Sequence, residues 1–201
     1  MKKLFFLPIA LLFFSFHPTD KTLTEKERKT ATDFLTSTQT GVDDAIRGLS
    51  DAQMNFKSAP DRWSVAECVK HIAITEQMLR QMLDGSLKQP ITPEKRSELK
   101  MTDDQLIKNL EDRTTKIKTT DALKPENSPF KTSDEALASF KDNRAKLITF
   151  VKDTKDDLRD HLLTLPFGSV DGYQFILFIG AHSNRHTQQI DEVKADPNFP
   201  K

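Results

Sequence analysis

Along much of this chain apolar residues return at alternating intervals of three and four, the period of a helix that buries one face. Phe175, Ile179, His182, His186, Gln189 and Val193 form one such stripe, and Cys68, His71, Thr75, Met78 and Met82 form another. Prolines at 60, 90, 93, 125, 129, 166, 197 and 200 leave proline-free runs 19–59, 61–89, 94–124, 130–165 and 167–196. Proline lacks an amide donor and clashes with the preceding turn, so these runs are natural helix slots. Several open on a capping box, in which a Ser, Thr or Asp pairs with Glu or Gln three residues on. The pairs are Thr24 with Glu27, Ser64 with Glu67, Thr102 with Gln105, Thr132 with Glu135 and Asp171 with Gln174.

The pattern predicts long helices from about Glu25 to Gly48, from Val65 to Asp84 with a stop at Gly85, from Ser133 to near Thr154 or on toward His161, and from Gly172 to about Ala195. A shorter helix is expected from about Asp103 to Lys118. No strand is expected, because hairpin dipeptides and alternating β-branched runs are missing. The long connection from Gly85 to Ser133 frees the flanking helices from being antiparallel neighbours. The fold class is therefore all-α: a four-helix bundle with a long crossover that carries a short extra helix.

Composition narrows the function. The 201 residues hold 30 Lys and Arg against 30 Asp and Glu, and 36% are hydrophobic. That balance fits a folded chain and argues against nucleic acid as a main partner, which needs a basic face. One cysteine excludes an internal disulfide and a Cys-rich zinc module. Met1-Lys2-Lys3 precedes Leu4–Phe16, 13 residues of which 11 are apolar. Too short for a comfortable bilayer span, this segment reads as a secretory signal over residues 1–18, cut near Ser15-Phe16-His17. The remainder, 19–201, is then an exported domain with no stable membrane span; an uncleaved N-terminal anchor is the alternative.

Five histidines occur, of which His17 belongs to the N-terminal segment. His182 and His186 lie one turn apart on the stripe that carries Phe175 and Ile179, so both imidazoles point inward. His71 lies on the inward stripe of another helix. Buried imidazoles need partners for their ring nitrogens. Two readings stand: hydrogen-bonded core residues, or three neutral ligands on one ion. Three imidazoles suit Zn, Ni, Cu or Fe(II) and leave positions open for water or substrate. His161 sits in the charged run Lys155–His161 and reads as solvated or capping.

Other residues near these stripes have plainer readings. Cys68 reads as a small buried hydrophobe and Glu67 as part of its capping box. Met78 and Met82 read as core, and Arg185 as solvated helix surface. Trp63 is a hydrophobic staple or a pocket wall. Glu67, Glu76 and Gln189 are the polar neighbours in register with the histidines, and none stands out as a general base. Phosphate loops, GxGxxG, GxSxG and HExxH are missing.

The segment Pro60–Glu76, with Trp63, Ser64, Glu67 and His71, resembles the W-S-x-x-E-x-x-x-H helix opening of the DinB-like superfamily. Ala181–Ile190 is similar to that family's H-x-x-x-H-x-x-Q-I helix. The two motifs stand in the family's order, and the resemblance spans about residues 24–197. It implies a four-helix bundle with a long crossover and a divalent transition metal (Zn, Ni or Fe) on His71, His182 and His186. It further implies a homodimer. Thiol-dependent transferases and isomerases belong to the family, but they work in the cytoplasm, whereas this chain carries an export-like start. Two function classes follow. One is a metal-dependent hydrolase or thiol-transferase-type enzyme acting on a small molecule. The other is a non-catalytic bundle that binds metal or a ligand and acts as an interaction module.

Overall fold

The computed structural model describes residues 22–201. The expected signal segment lies outside the described residues. Six α-helices are described: α1 Glu25–Ile46, α2 Asp51–Asn55, α3 Val65–Ser86, α4 Asp103–Glu111, α5 Ser133–Asp153 and α6 Gly172–Lys194. A hairpin of β1 Leu162–Leu165 and β2 Gly168–Asp171 precedes α6. Helix α3 packs against α5 and α6, and α1 packs against α6 and α5, which sets α1 and α3 on a diagonal of the bundle. The crossover lays α4 along α6 and returns past α3 through 3-10 turns at Asp121–Leu123 and Pro125–Asn127. The fold class is thus the expected helical bundle with a long crossover. Among the described residues no helix is long and apolar enough to cross a membrane.

Helix starts follow the capping chemistry. Reciprocal boxes form at Thr24/Glu27, Ser64/Glu67, Thr102/Gln105 and Asp171/Gln174. The box expected at Thr132 is half made. Thr132 Oγ1 accepts from the Glu135 amide, but the Glu135 carboxylate accepts from the Lys131 amide instead of Thr132. A further box, Ser50/Gln53, opens the one-turn helix α2, which is not among the expected helices although its cap residues carry the same spacing.

Two expectations need correction. Helix α4 ends at Glu111 and does not reach Lys118. Beyond it the Asp112 carboxylate accepts from the Thr114 amide, a local turn that competes with continuing the helix. Helix α5 stops at Asp153 with Thr154 as its cap, as expected, and short of His161; the following segment makes the β1–β2 hairpin where no strand was expected. Each strand is four residues long, too short to show a period of two, and Pro166-Phe167 forms a turn outside the usual hairpin dipeptides. Gly168 closes that turn at φ +132°, a conformation that strongly favours glycine.

The interior is divided across its length. One apolar cluster gathers Leu35, Leu79, Leu83, Leu147, Phe175 and Ile179. The other gathers Val42, Cys68, Ile72, Phe140, Ile190 and Val193. Between them runs a buried polar layer made by Thr38 of α1, Glu76 of α3, Arg144 of α5 and Ser183 of α6. Arg144 is fully buried; its Nε and Nη2 grip both Glu76 oxygens at 2.6 and 2.8 Å. Its Nη1 donates to the Leu35 carbonyl and Thr38 Oγ1, and Nη2 also donates to Ser183 Oγ. All the N–H donors of the guanidinium are therefore used, which is what makes such burial tolerable.

A second arginine ties the lower end. Arg159 bridges Glu27 of α1, Asp103 of α4 and Asp171 at the start of α6, and its guanidinium stacks 4.1 Å from the centre of the Tyr173 ring.

Candidate metal centre

The histidines meet because α3 and α6 run antiparallel. The centre of the His71 ring lies 4.4 Å from that of His186 and 5.2 Å from that of His182, and the latter two are 4.6 Å apart. One ligating nitrogen from each lies within 4.8 Å of the others. Three ligands each about 2.1 Å from one ion stand about 3.0–3.6 Å from one another, so the rings would draw together by about 1–2 Å to share it. His71 and His186 are buried, while His182 keeps partial exposure.

Neighbouring groups orient the rings. His71 Nδ1 lies 2.8 Å from the Leu123 carbonyl, which can only accept. That nitrogen must donate, and Nε2 keeps its lone pair. His186 Nδ1 likewise donates to Gln189 Oε1 at 2.9 Å. Gln189 Oε1 also accepts from Arg113 Nη1, and Arg113 holds both oxygens of Glu192. The crossover thus reaches the site twice, through the Leu123 carbonyl and through Arg113.

Burial lowers the pKa of all three imidazoles. For His71 the Leu123 contact opposes this in part. His182 is pushed well down by burial and then by the charges of His71, Arg185 and Arg144. For His186 burial dominates, with His182 and His71 adding to it. Three neutral imidazoles with two fixed tautomers are the donor set a borderline transition ion requires, so the residues fit such a group.

Trp63 lies 4.7 Å from the His71 ring centre and stacks 5.9 Å from that of His186. Trp63 also packs on the apolar cluster that contains Cys68, as the expected staple would. Cys68 is fully buried and its thiol is pushed up to about 12 by burial, in keeping with a hydrophobe. Glu67 serves its capping box and pairs with Lys57. Glu76 turns from the histidines to Arg144.

Two polar residues expected to be solvated, His161 with capping as its alternative, are buried. Arg185 is buried, not solvated: its guanidinium donates to the carbonyls of Leu110, Asp112 and Thr115 and pins the end of α4 to α6. His161 is buried too, and its carbonyl accepts from the Gly172 amide at the foot of α6. That foot lies ten residues before His182, about 15 Å along the helix. His161→Ala is accordingly expected to leave bound metal unchanged, as measured by elemental analysis. Met82, expected in the core, is 39% exposed.

Arg113 and Arg144 were not anticipated. Arg144 had a signal: it interrupts the inward stripe Ala136, Phe140, Leu147, Val151 of α5. Arg113 had none, since its partners depend on the path of the crossover.

A helical bundle with an extended crossover brings together, from two of its helices, three histidines that could hold one metal ion. The match to a family model agrees: the DinB superfamily model covers residues 35–190, and the chain belongs to that superfamily. It is 25% identical over 150 residues to the uncharacterized protein YuaE of Bacillus subtilis strain 168, spanning 74% of this chain and 88% of YuaE. Among solved structures it is similar to YfiT from Bacillus subtilis, with a TM-score of 0.59 at 12% identity, covering 89% of this chain and 92% of YfiT. YfiT is described as a probable metal-dependent hydrolase with an unusual four-helix bundle topology. At that identity the likeness establishes the fold.

Proposed function

We propose that this chain is a metal-dependent hydrolase whose divalent transition ion (Zn, Ni or Fe) is held by His71, His182 and His186. The observation that carries the reading is the convergence of three ligating nitrogens within 4.8 Å, with His182 the least buried of the three. An ion there would act as a Lewis acid on a substrate oxygen and lower the pKa of a water toward neutrality. The protein's own part is positional. Leu123 and Gln189 keep a proton on Nδ1 of their histidines, and Trp63 shields the flank of His71 and His186. The description of YfiT supports the same reading.

The test is elemental analysis of protein purified without a histidine tag, followed by a screen of ester, amide and thiol substrates. One equivalent of metal with metal-dependent ester or amide cleavage is the expected result; thiol transfer without cleavage would replace hydrolase by transferase. A second reading, a non-catalytic metal- or ligand-binding bundle, is favoured by one observation: Glu76, the buried carboxylate nearest in register, is committed to Arg144. Stoichiometric metal with no turnover in the screen would select it. We further propose export, supported by the basic and then apolar start of the sequence. Fractionation of cells expressing the full chain checks it, and a wholly cytoplasmic protein would remove it.

A further inference from the structure

We infer that the Thr75 hydroxyl is the protein's hydrogen-bond donor to a small anion, or an anionic substrate oxygen, held among His71, His182 and His186. The inference rests on the metal-site reading above. Thr75 is 4% exposed, yet its Oγ1 has no hydrogen-bond partner. Among the described residues only Arg80 Nη1 shares that condition, and the Arg80 guanidinium already pairs with Asp84 and stacks on Phe150. Buried polar atoms are normally paired, and an exception calls for an occupant. Four other helical threonines satisfy themselves. Thr32, Thr36, Thr38 and Thr187 each donate to a carbonyl three or four residues back. Thr75 forgoes that bond.

Its position explains what the free hydroxyl serves. Thr75 follows His71 by one turn on the same stripe of α3. The antiparallel register sets His71 beside His186, and one residue beyond Thr75 the Glu76 carboxylate is joined to Ser183 through Arg144. Thr75 therefore stands level with His182, the least buried of the three histidines. The adjacent stripe residues Cys68 and Met78 are apolar. An anion entering between the imidazoles would find the Thr75 hydroxyl as an uncharged donor, and it would remove the penalty of an unpaired hydroxyl.

The probe is cobalt(II) as the metal and azide as the anion, followed by the visible absorption of cobalt-loaded full chain. Wild type is expected to take one cobalt and to bind azide. Thr75→Val should keep the cobalt and bind azide about tenfold more weakly, the worth of one hydrogen bond to an anion. Thr75→Ser should stay within about twofold of wild type. The metal-free Thr75→Val protein should melt about 2–4 °C higher, since it loses an unpaired buried hydroxyl. Equal azide affinity in Thr75→Val, loss of cobalt from it, a lower melting temperature, or a Thr75→Ser protein as weak as the valine variant would each overturn the inference. So would cobalt-loaded wild type that takes no azide. Wild type that takes no cobalt overturns the three-histidine reading itself, and that failure is distinct from the others.

Discussion

His182→Ala is expected to bind no stoichiometric divalent metal, while its helices and hydrodynamic size stay as in wild type. His182 is the least buried of the three, so truncation removes one of three ligands while disturbing the core less than it would at His71 or His186. The remaining pair, His71 and His186, stays hydrogen-bonded to Leu123 and Gln189. A ligand present at one hundred times its dissociation constant stabilises a fold by about 2.7 kcal/mol. In a chain of this size that corresponds to about 5–10 °C in melting temperature. Zinc should therefore raise the melting point of wild type by that much and leave His182→Ala unmoved. Full metal content in the variant, by elemental analysis, would refute the assignment of the triad.

Glu76→Ala should be the most damaging single change in the core. It strips the carboxylate from both Nε and Nη2 of Arg144, leaving a guanidinium with no exposure and no counter-charge. Removing one partner of a buried ion pair costs about 3–5 kcal/mol, a large share of the 5–15 kcal/mol by which domains are typically stable. Replacing both partners with apolar residues, Glu76→Leu with Arg144→Met, should recover most of that loss, because no charge is then stranded. Chemical denaturation of the single and double variants checks the pair. A Glu76→Ala protein as stable as wild type would show that Arg144 finds another anion or reaches water.

What could be read from sequence was local. Thr24, Ser64, Thr102 and Asp171 start their helices with short-range hydrogen bonds that need no knowledge of the rest of the chain. The stripes of α3 and α6 also gave the inward direction of His71, His182 and His186, because side-chain direction on a helix follows spacing alone. Their convergence was harder, since it needs the antiparallel pairing of α3 with α6; the motif resemblance supplied it. What escaped was set by distant contacts. Arg185 looked solvated until the end of α4 brought three carbonyls to it. The hairpin at Leu162–Asp171 escaped because strands this short leave no periodic trace. Arg113 reaches Gln189 and Glu192 only through the course of the crossover.

The polar layer around Arg144 has a consequence for drift and variation. Apolar contacts on either side are non-directional, so a helix could slide by a turn and still find oil to bury. The guanidinium allows no such sliding: it demands oxygens from α1, α3 and α6 at fixed bearings. It works as an indexing pin that sets the axial offset of every long helix at one level. Leucines and valines to either side can then be exchanged over generations at a cost in stability alone, while the three imidazoles keep their spacing.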